Sequence, residues 1–348
     1  MVQSNNTNVK ILPTHTPIIA HLPQDAALLS IIGDDLGEYE WVMNNFVNIR
    51  INEEFEYDDF YREDMWYNCY YIEDNALTRN FILRISNGDF SKFVIDCIRN
   101  GYYVLPYINK RAISAYRTST DERHSPLVYG FDIDKREIYM ADFFQSRYSH
   151  ATASFDELQS SIEYCEAEHE WYPYKLFRII RKKKGYVYSF DLSSLIKQVE
   201  DYISSRSMNG TFLQHQTNDM EEKKFFSLAN AYSGMKFGLE YYDTLCDLVE
   251  NHRVWLSAMY LIRAQKILMK HRLEYLSTRY NLSRHEELRS MSDELLKRTH
   301  FNQNLYLKSF FSNPRFKYDD RLKIEIAQTK EIDRDFSDLL LSSLTKLK

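Results

Sequence analysis

His124-Ser-Pro-Leu-Val-Tyr-Gly-Phe-Asp-Ile-Asp-Lys-Arg-Glu-Ile-Tyr-Met-Ala-Asp142 is the stretch on which the reading of this chain turns. Two runs rich in β-branched and aromatic residues, Leu127 to Phe131 and Ile138 to Phe144, flank the polar Asp132-Ile-Asp-Lys-Arg136, which is turn material. The pattern predicts a β-hairpin with its turn centred near Asp134. That register sets His124 opposite about Phe144 and makes Asp142 a diagonal neighbour on the same face. An imidazole oriented by a carboxylate is the base portion of a nucleophilic triad.

Working outward, residues 1 to about 10 read as a disordered tail, and about 11 to 190 mix helix and strand. A helix runs through Ile32 and another covers about Asp89 to Asn100. Strands fall at Tyr102 to Ile108 and Lys175 to Ile180, and a further helix begins at Phe155-Asp-Glu-Leu158. This is an α+β layout, helices beside an antiparallel sheet. From 191 to 348 the apolar spacing is helical, over Leu239 to Leu248, Val254 to Tyr280, Glu286 to Leu296 and Arg321 to Leu344, so a helical C-terminal domain is expected, a natural lid. Ser283-x-x-Glu286 reads as a capping box. Polar Ser204 to Asp219 is the expected linker.

The chain has 348 residues, 44% hydrophobic, enough for two domains with a sizeable core. A net charge of −6 argues against binding a phosphate backbone. The basic run Arg178-Ile-Ile-Arg-Lys-Lys-Lys184 reads as a strand ending in a solvated turn at Gly185, with docking of an acidic carrier as its functional alternative. Cys69, Cys97, Cys165 and Cys246 are scattered without zinc spacing. With no long apolar run, a reduced, cytoplasmic, non-membrane protein is expected. Cys69 is a rival nucleophile, Cys97 reads as core, and Glu163 with Glu166 reads as a helix face rather than a glycosidase pair.

Pro17-Ile-Ile-Ala20-His21-Leu-Pro-Gln24 is an extended apolar segment leading into the first helix. This segment, then Asn100-Gly-Tyr-Tyr-Val104, then His124 to Phe144, resembles the papain-fold cysteine peptidase homologues of the butirosin-H type over about residues 10 to 190. The resemblance implies a papain-like domain acting as an acyltransferase or amide synthase in thiotemplated, nonribosomal-peptide-like antibiotic biosynthesis, with a closthioamide-like pathway as one setting. The acyl donor would be the phosphopantetheine thioester of a carrier protein and the acceptor an amine, with no cofactor and no metal. His124 would be the general base and Asp142 its orienting partner.

The family's nucleophile is a cysteine at a helix N-terminus, where free N–H groups and the dipole favour the thiolate. Here that position falls at Ala20, or at His21 if the register shifts by one, and neither is a cysteine. A deliberate Cys→Ala variant and a natural pseudo-enzyme both account for Ala20. The intact His/Asp pair favours the former, because a dead scaffold has no chemical need for it. His21, Gln24 and Tyr103 are candidate substrate-binding residues, although Gln24 follows the nucleophile position and so does not match the oxyanion donor's place. The backbone N–H of residue 20 is the expected donor. A peptidase on the same triad and a non-catalytic binding protein for an acyl carrier or peptide are the alternatives.

Overall fold

The computed structural model describes residues 7–53, 57–60, 69–163, 176–206, 234–312 and 320–347. The chain forms two compact units, one from residues 1–39 and 64–188 and the other from 40–63 and 189–348. The division at 188/189 lies close to the expected boundary at 190. Residues 40–63, however, belong with the C-terminal unit and not with the N-terminal domain. The expected linker lies outside the described residues from 207 onward.

The first unit is a mixed α/β body around an antiparallel sheet of seven strands. Six follow in the order β10 (Arg147–Ser154), β9 (Glu137–Phe144), β8 (Leu127–Asp132), β5 (Tyr103–Leu105), β11 (Leu176–Lys182) and β4 (Ile72–Thr78). The seventh, β1 (Val9–Ile11), pairs with Asp132 to Gly130, so the tail expected to be disordered contributes a strand at its end. Gly130 permits that approach: a Cβ there would stand 3.0 Å from both the Lys10 carbonyl oxygen and Tyr139 Cδ2. A short ribbon of β6 (Ile108–Asn109) and β7 (Arg123–His124) also belongs to this unit.

Its helices follow their local signals. α1 (Pro23–Ile31) starts with proline in its first turn, where a missing N–H costs nothing. α3 (Arg79–Ile85) and α4 (Phe90–Arg99) are capped by Thr78 and Asp89, whose side chains accept from the Phe81 and Lys92 amides. α4 buries Phe90, Val94 and Ile98, and α5 (Phe155–Glu163) buries Phe155, Leu158 and Ile162. Glu166 and Cys165 lie outside the described residues.

The second unit is mainly helical: α6 (Leu192–Ile203), α7 (Glu240–Glu250), α8 (Leu256–Tyr280), α9 (His285–Ser312) and α10 (Asp320–Thr345). It also contains a three-stranded sheet of β12 (Met235–Phe237), β2 (Ile49–Asn52) and β3 (Tyr57–Phe60), which the sequence reading did not anticipate. The chain enters this unit along α2 (Leu36–Asn45). Buried Arg272 donates to the carbonyls of Met43 and Phe46, at 2.5 and 3.0 Å, and satisfies the end of that helix. The core gathers Val47, Leu195, Val199, Leu273, Leu276, Leu295, Phe336 and Leu340. The expected capping box does not form, since Ser283 Oγ is buried without a hydrogen-bond partner among the described residues. No helix among the described residues is long and apolar enough to cross a membrane.

Candidate active site

Pro126 shapes the site. Lacking an N–H, it interrupts the ladder, so β8 starts at Leu127 instead of continuing from His124. His124 instead sits in β7, where it pairs with Ile108. The ribbon is pinned by the Lys110 amide on the Glu122 carbonyl at 2.8 Å and by the Asn109 amide on Asp121 at 2.9 Å. The β8/β9 register, Leu127 opposite Ala141, then brings Asp142 level with Pro126, within reach of the histidine ring.

His124 Nδ1 lies 2.5 Å from Asp142 Oδ2. The same oxygen accepts the Tyr116 hydroxyl. Tyr116 ends a 3-10 turn (Ser114–Tyr116) closed by Arg117 at φ +52°, and its ring stands 4.8 Å from that of Phe144 and 6.3 Å from that of His124. Burial first, then the neighbouring Asp142 charge, pushes the Tyr116 phenol far above its usual range, so it remains a proton donor. Asp142 is fully buried, and its Oδ1 has no hydrogen-bond partner among the described residues. Two donors on Oδ2 therefore carry the stabilisation of that carboxylate.

A proton on Nδ1 facing Asp142 leaves the lone pair on Nε2. The His124 side chain is 22% exposed, and Nε2 has no hydrogen-bond partner among the described residues, so it is open to a reactant. The arrangement can accept a proton at one defined atom and hold the resulting imidazolium against a buried carboxylate.

The expected nucleophile position fares differently. α1 begins at Pro23 with Leu22 as its N-cap, so half-buried Ala20 stands two residues ahead of the cap rather than at the helix terminus. Ser30 of α1 lies 3.1 Å from the Tyr148 hydroxyl, and Tyr148 pairs with Phe143. The helix thus lies on the Phe143 face of β9, whereas Asp142 projects from the opposite face. The structure joins His124 and Asp142 directly and adds Tyr116. It does not set Ala20 in hydrogen-bonding company with them.

The other candidates are mostly structural. Tyr103 is buried and donates its hydroxyl to the Pro13 carbonyl at 2.5 Å, so it is a core residue and not a substrate contact. His21 is buried, its Nε2 3.1 Å from Asp25 Oδ2, and burial lowers its pKa to about 3, which keeps it neutral. Gln24 is exposed on the first turn of α1. Burial pushes the thiol of Cys69, the rival nucleophile, up to about 12, and those of Cys97 and Cys246 to about 12 and about 11, which disfavours the thiolate in each.

Three cations of the basic run are matched by acids: Arg178 with Asp74 at 2.9 Å, Arg181 with Glu73 at 2.5 Å and Lys182 with Glu38 at 2.7 Å. Lys183 and Lys184, the other two cations of the run, have no ion pair among the described residues. A surface cleft lined by Ile85, Phe93, Cys97, Asn100 and Tyr102 lies on the Tyr102 side of β5, while His124 pairs with Ile108 beyond its other end. No family model matches the sequence, and no curated protein matches it either.

Tyr116 is the residue that sequence reasoning missed. It stands in a polar loop, Ala-Tyr-Arg-Thr-Ser-Thr, whose pattern carries no chemical signal, and its partner is 26 residues away in sequence.

Proposed function

We propose that the first unit is a papain-like domain catalysing acyl transfer from a thioester to an amine, with His124 as general base. The observation that carries this reading is the 2.5 Å contact between His124 Nδ1 and Asp142 Oδ2, with Nε2 left open. The donor would be a carrier-protein phosphopantetheine thioester and the acceptor a primary amine, as in thiotemplated biosynthesis.

With alanine at position 20 the step is direct. The amine nitrogen attacks the thioester carbonyl, His124 Nε2 takes the amine proton, the C–N bond forms and the C–S bond breaks. The imidazolium then returns the proton to the departing thiolate. Asp142 holds the ring and its charge throughout, and Tyr116 holds Asp142.

The test supplies an acyl N-acetylcysteamine thioester with and without a primary diamine. Amide in excess of free acid, rising to saturation with the diamine and lost in His124→Ala, is the expected result. Equal acid with and without amine identifies a hydrolase on the same pair and overturns the transfer reading. Absence of any product leaves the second reading, favoured by Ala20 itself, of a non-catalytic protein that binds acylated carrier or peptide. Ala20→Cys then asks whether position 20 reaches the base: an acyl adduct on that residue by intact mass supports the papain-like assignment.

A further inference from the structure

The two edges of the seven-stranded sheet differ. β4, at one edge, carries Glu73 and Asp74 in succession, both held by arginines of the neighbouring strand, so a second β4 would bring acid against acid. Charged edges of this kind block strand addition. β10, at the other edge, reads Arg-Tyr-Ser-His-Ala-Thr-Ala-Ser over Arg147–Ser154. It has no lysine, no acid, no proline and no bulge against β9, and among the described residues no strand pairs with its outer side.

We infer that β10 is a dimerisation edge, at which a second copy of this chain adds its own β10 antiparallel about a twofold axis at Ala151. The register follows from hydrogen-bond parity. β9 and β10 are joined by a two-residue turn, Gln145 and Ser146 at φ +52° and +65°, flanked by the Phe144–Arg147 pair. In such a turn the flanking residues exchange both main-chain bonds. Arg147, Ser149, Ala151 and Ala153 therefore bond inward to β9, and Tyr148, His150 and Thr152 present their N–H and C=O groups outward, whereas Ser154 caps α5 and gives its N–H to Glu157 Oε2 at 2.7 Å.

A twofold pairing must join outward residues to outward residues. An axis at Ala151 sets His150 opposite Thr152, forming roughly four new main-chain bonds, and lays Tyr148 beside Ser154. Ser149 then faces Ala153, and Ala151 faces itself. No like charges meet, large side chains oppose small ones, and Arg147 falls beyond the last outward pair. Moving the axis by one residue to His150 would set that histidine against its twin, so the Ala151 register is favoured.

Sedimentation equilibrium of the full chain over roughly 1 to 100 µM tests the inference. A reversible species near twice the 41.7 kDa chain mass is expected. Amide exchange supplies the register: His150 and Thr152 should slow about tenfold or more as concentration rises, while Ser149, Ala151 and Ala153 are slow throughout and Ser154 is held by Glu157 at every concentration. Thr152→Lys and Thr152→Pro should both give monomer with an unchanged circular dichroism spectrum, because neither touches an inward bond. A wild-type chain that stays monomeric, a dimer indifferent to both substitutions, or protection of all these amides independent of concentration overturns it.

Discussion

Replacing Tyr116 by phenylalanine isolates what holds the candidate base in place. The ring contacts with Phe144 at 4.8 Å and His124 at 6.3 Å survive, and only the hydroxyl on Asp142 Oδ2 is lost. A hydrogen bond to a charged group contributes about 1.5–3 kcal/mol. The upper part of that range is expected, because Oδ1 already lacks a partner among the described residues and His124 becomes the one remaining donor to a fully buried carboxylate. Urea denaturation followed on the unit carrying β8 and β9 should show a loss of about 2–3 kcal/mol with an unchanged denaturant slope, since the surface exposed on unfolding is the same. The His124 Nδ1 proton should also move downfield in the NMR spectrum, because an undivided Oδ2 is a stronger acceptor. A loss below about 0.5 kcal/mol with an unmoved proton would refute the assignment of Tyr116 as a positioning residue, since no hydrogen bond of consequence was then removed.

Burial holds Asp58 at about 6, above its ordinary 3.8, although Trp255, Ser257 and Tyr241 all reach it, so the folded state binds its proton more tightly than the unfolded chain. Stability from this group falls as pH rises from 3.8 to about 6, by up to about 3 kcal/mol; Asp58→Asn should flatten the difference curve in urea titrations across pH 4–7. His21 has the opposite sign: its folded value of about 3 lies below 6.5, so the unfolded chain takes the proton first and about 2 kcal/mol is lost between pH 6.5 and 5. His21→Leu should remove that part of the acid sensitivity, and an identical acid limb in the variant would contradict it. Lys266→Met strips the cation from fully buried Asp333, which keeps the Tyr202 and Tyr242 hydroxyls at 2.5 and 2.9 Å. The cost in chemical denaturation should be about 3–5 kcal/mol, and a cost under about 1 would show that the pair is not compensating. Iodoacetamide at neutral pH should leave Cys69, Cys97 and Cys246 unlabelled in peptide maps of the native protein and label them in urea.

Much of the first unit was legible because its signals are local. The apolar runs 127–131 and 138–144 became β8 and β9, Asp89 capped α4, Phe155 opened α5 and the basic run ended a strand before Gly185. Each rests on periodicity of two, a capping side chain or a turn residue, which are properties of a few consecutive residues. The same locality made His124 and Asp142 visible as a pair across a hairpin. Tertiary structure decided the rest. Tyr116 joins the pair through a loop whose composition carries no signal, and β1 forms because Gly130 leaves room for it. Residues 40–63 join the helical unit because Arg272 and Gln265, more than two hundred residues later, satisfy the carbonyls of Met43, Phe46 and Val47. A carbonyl left open at the end of a helix states that a donor is needed. Which donor arrives is settled by packing over the whole chain.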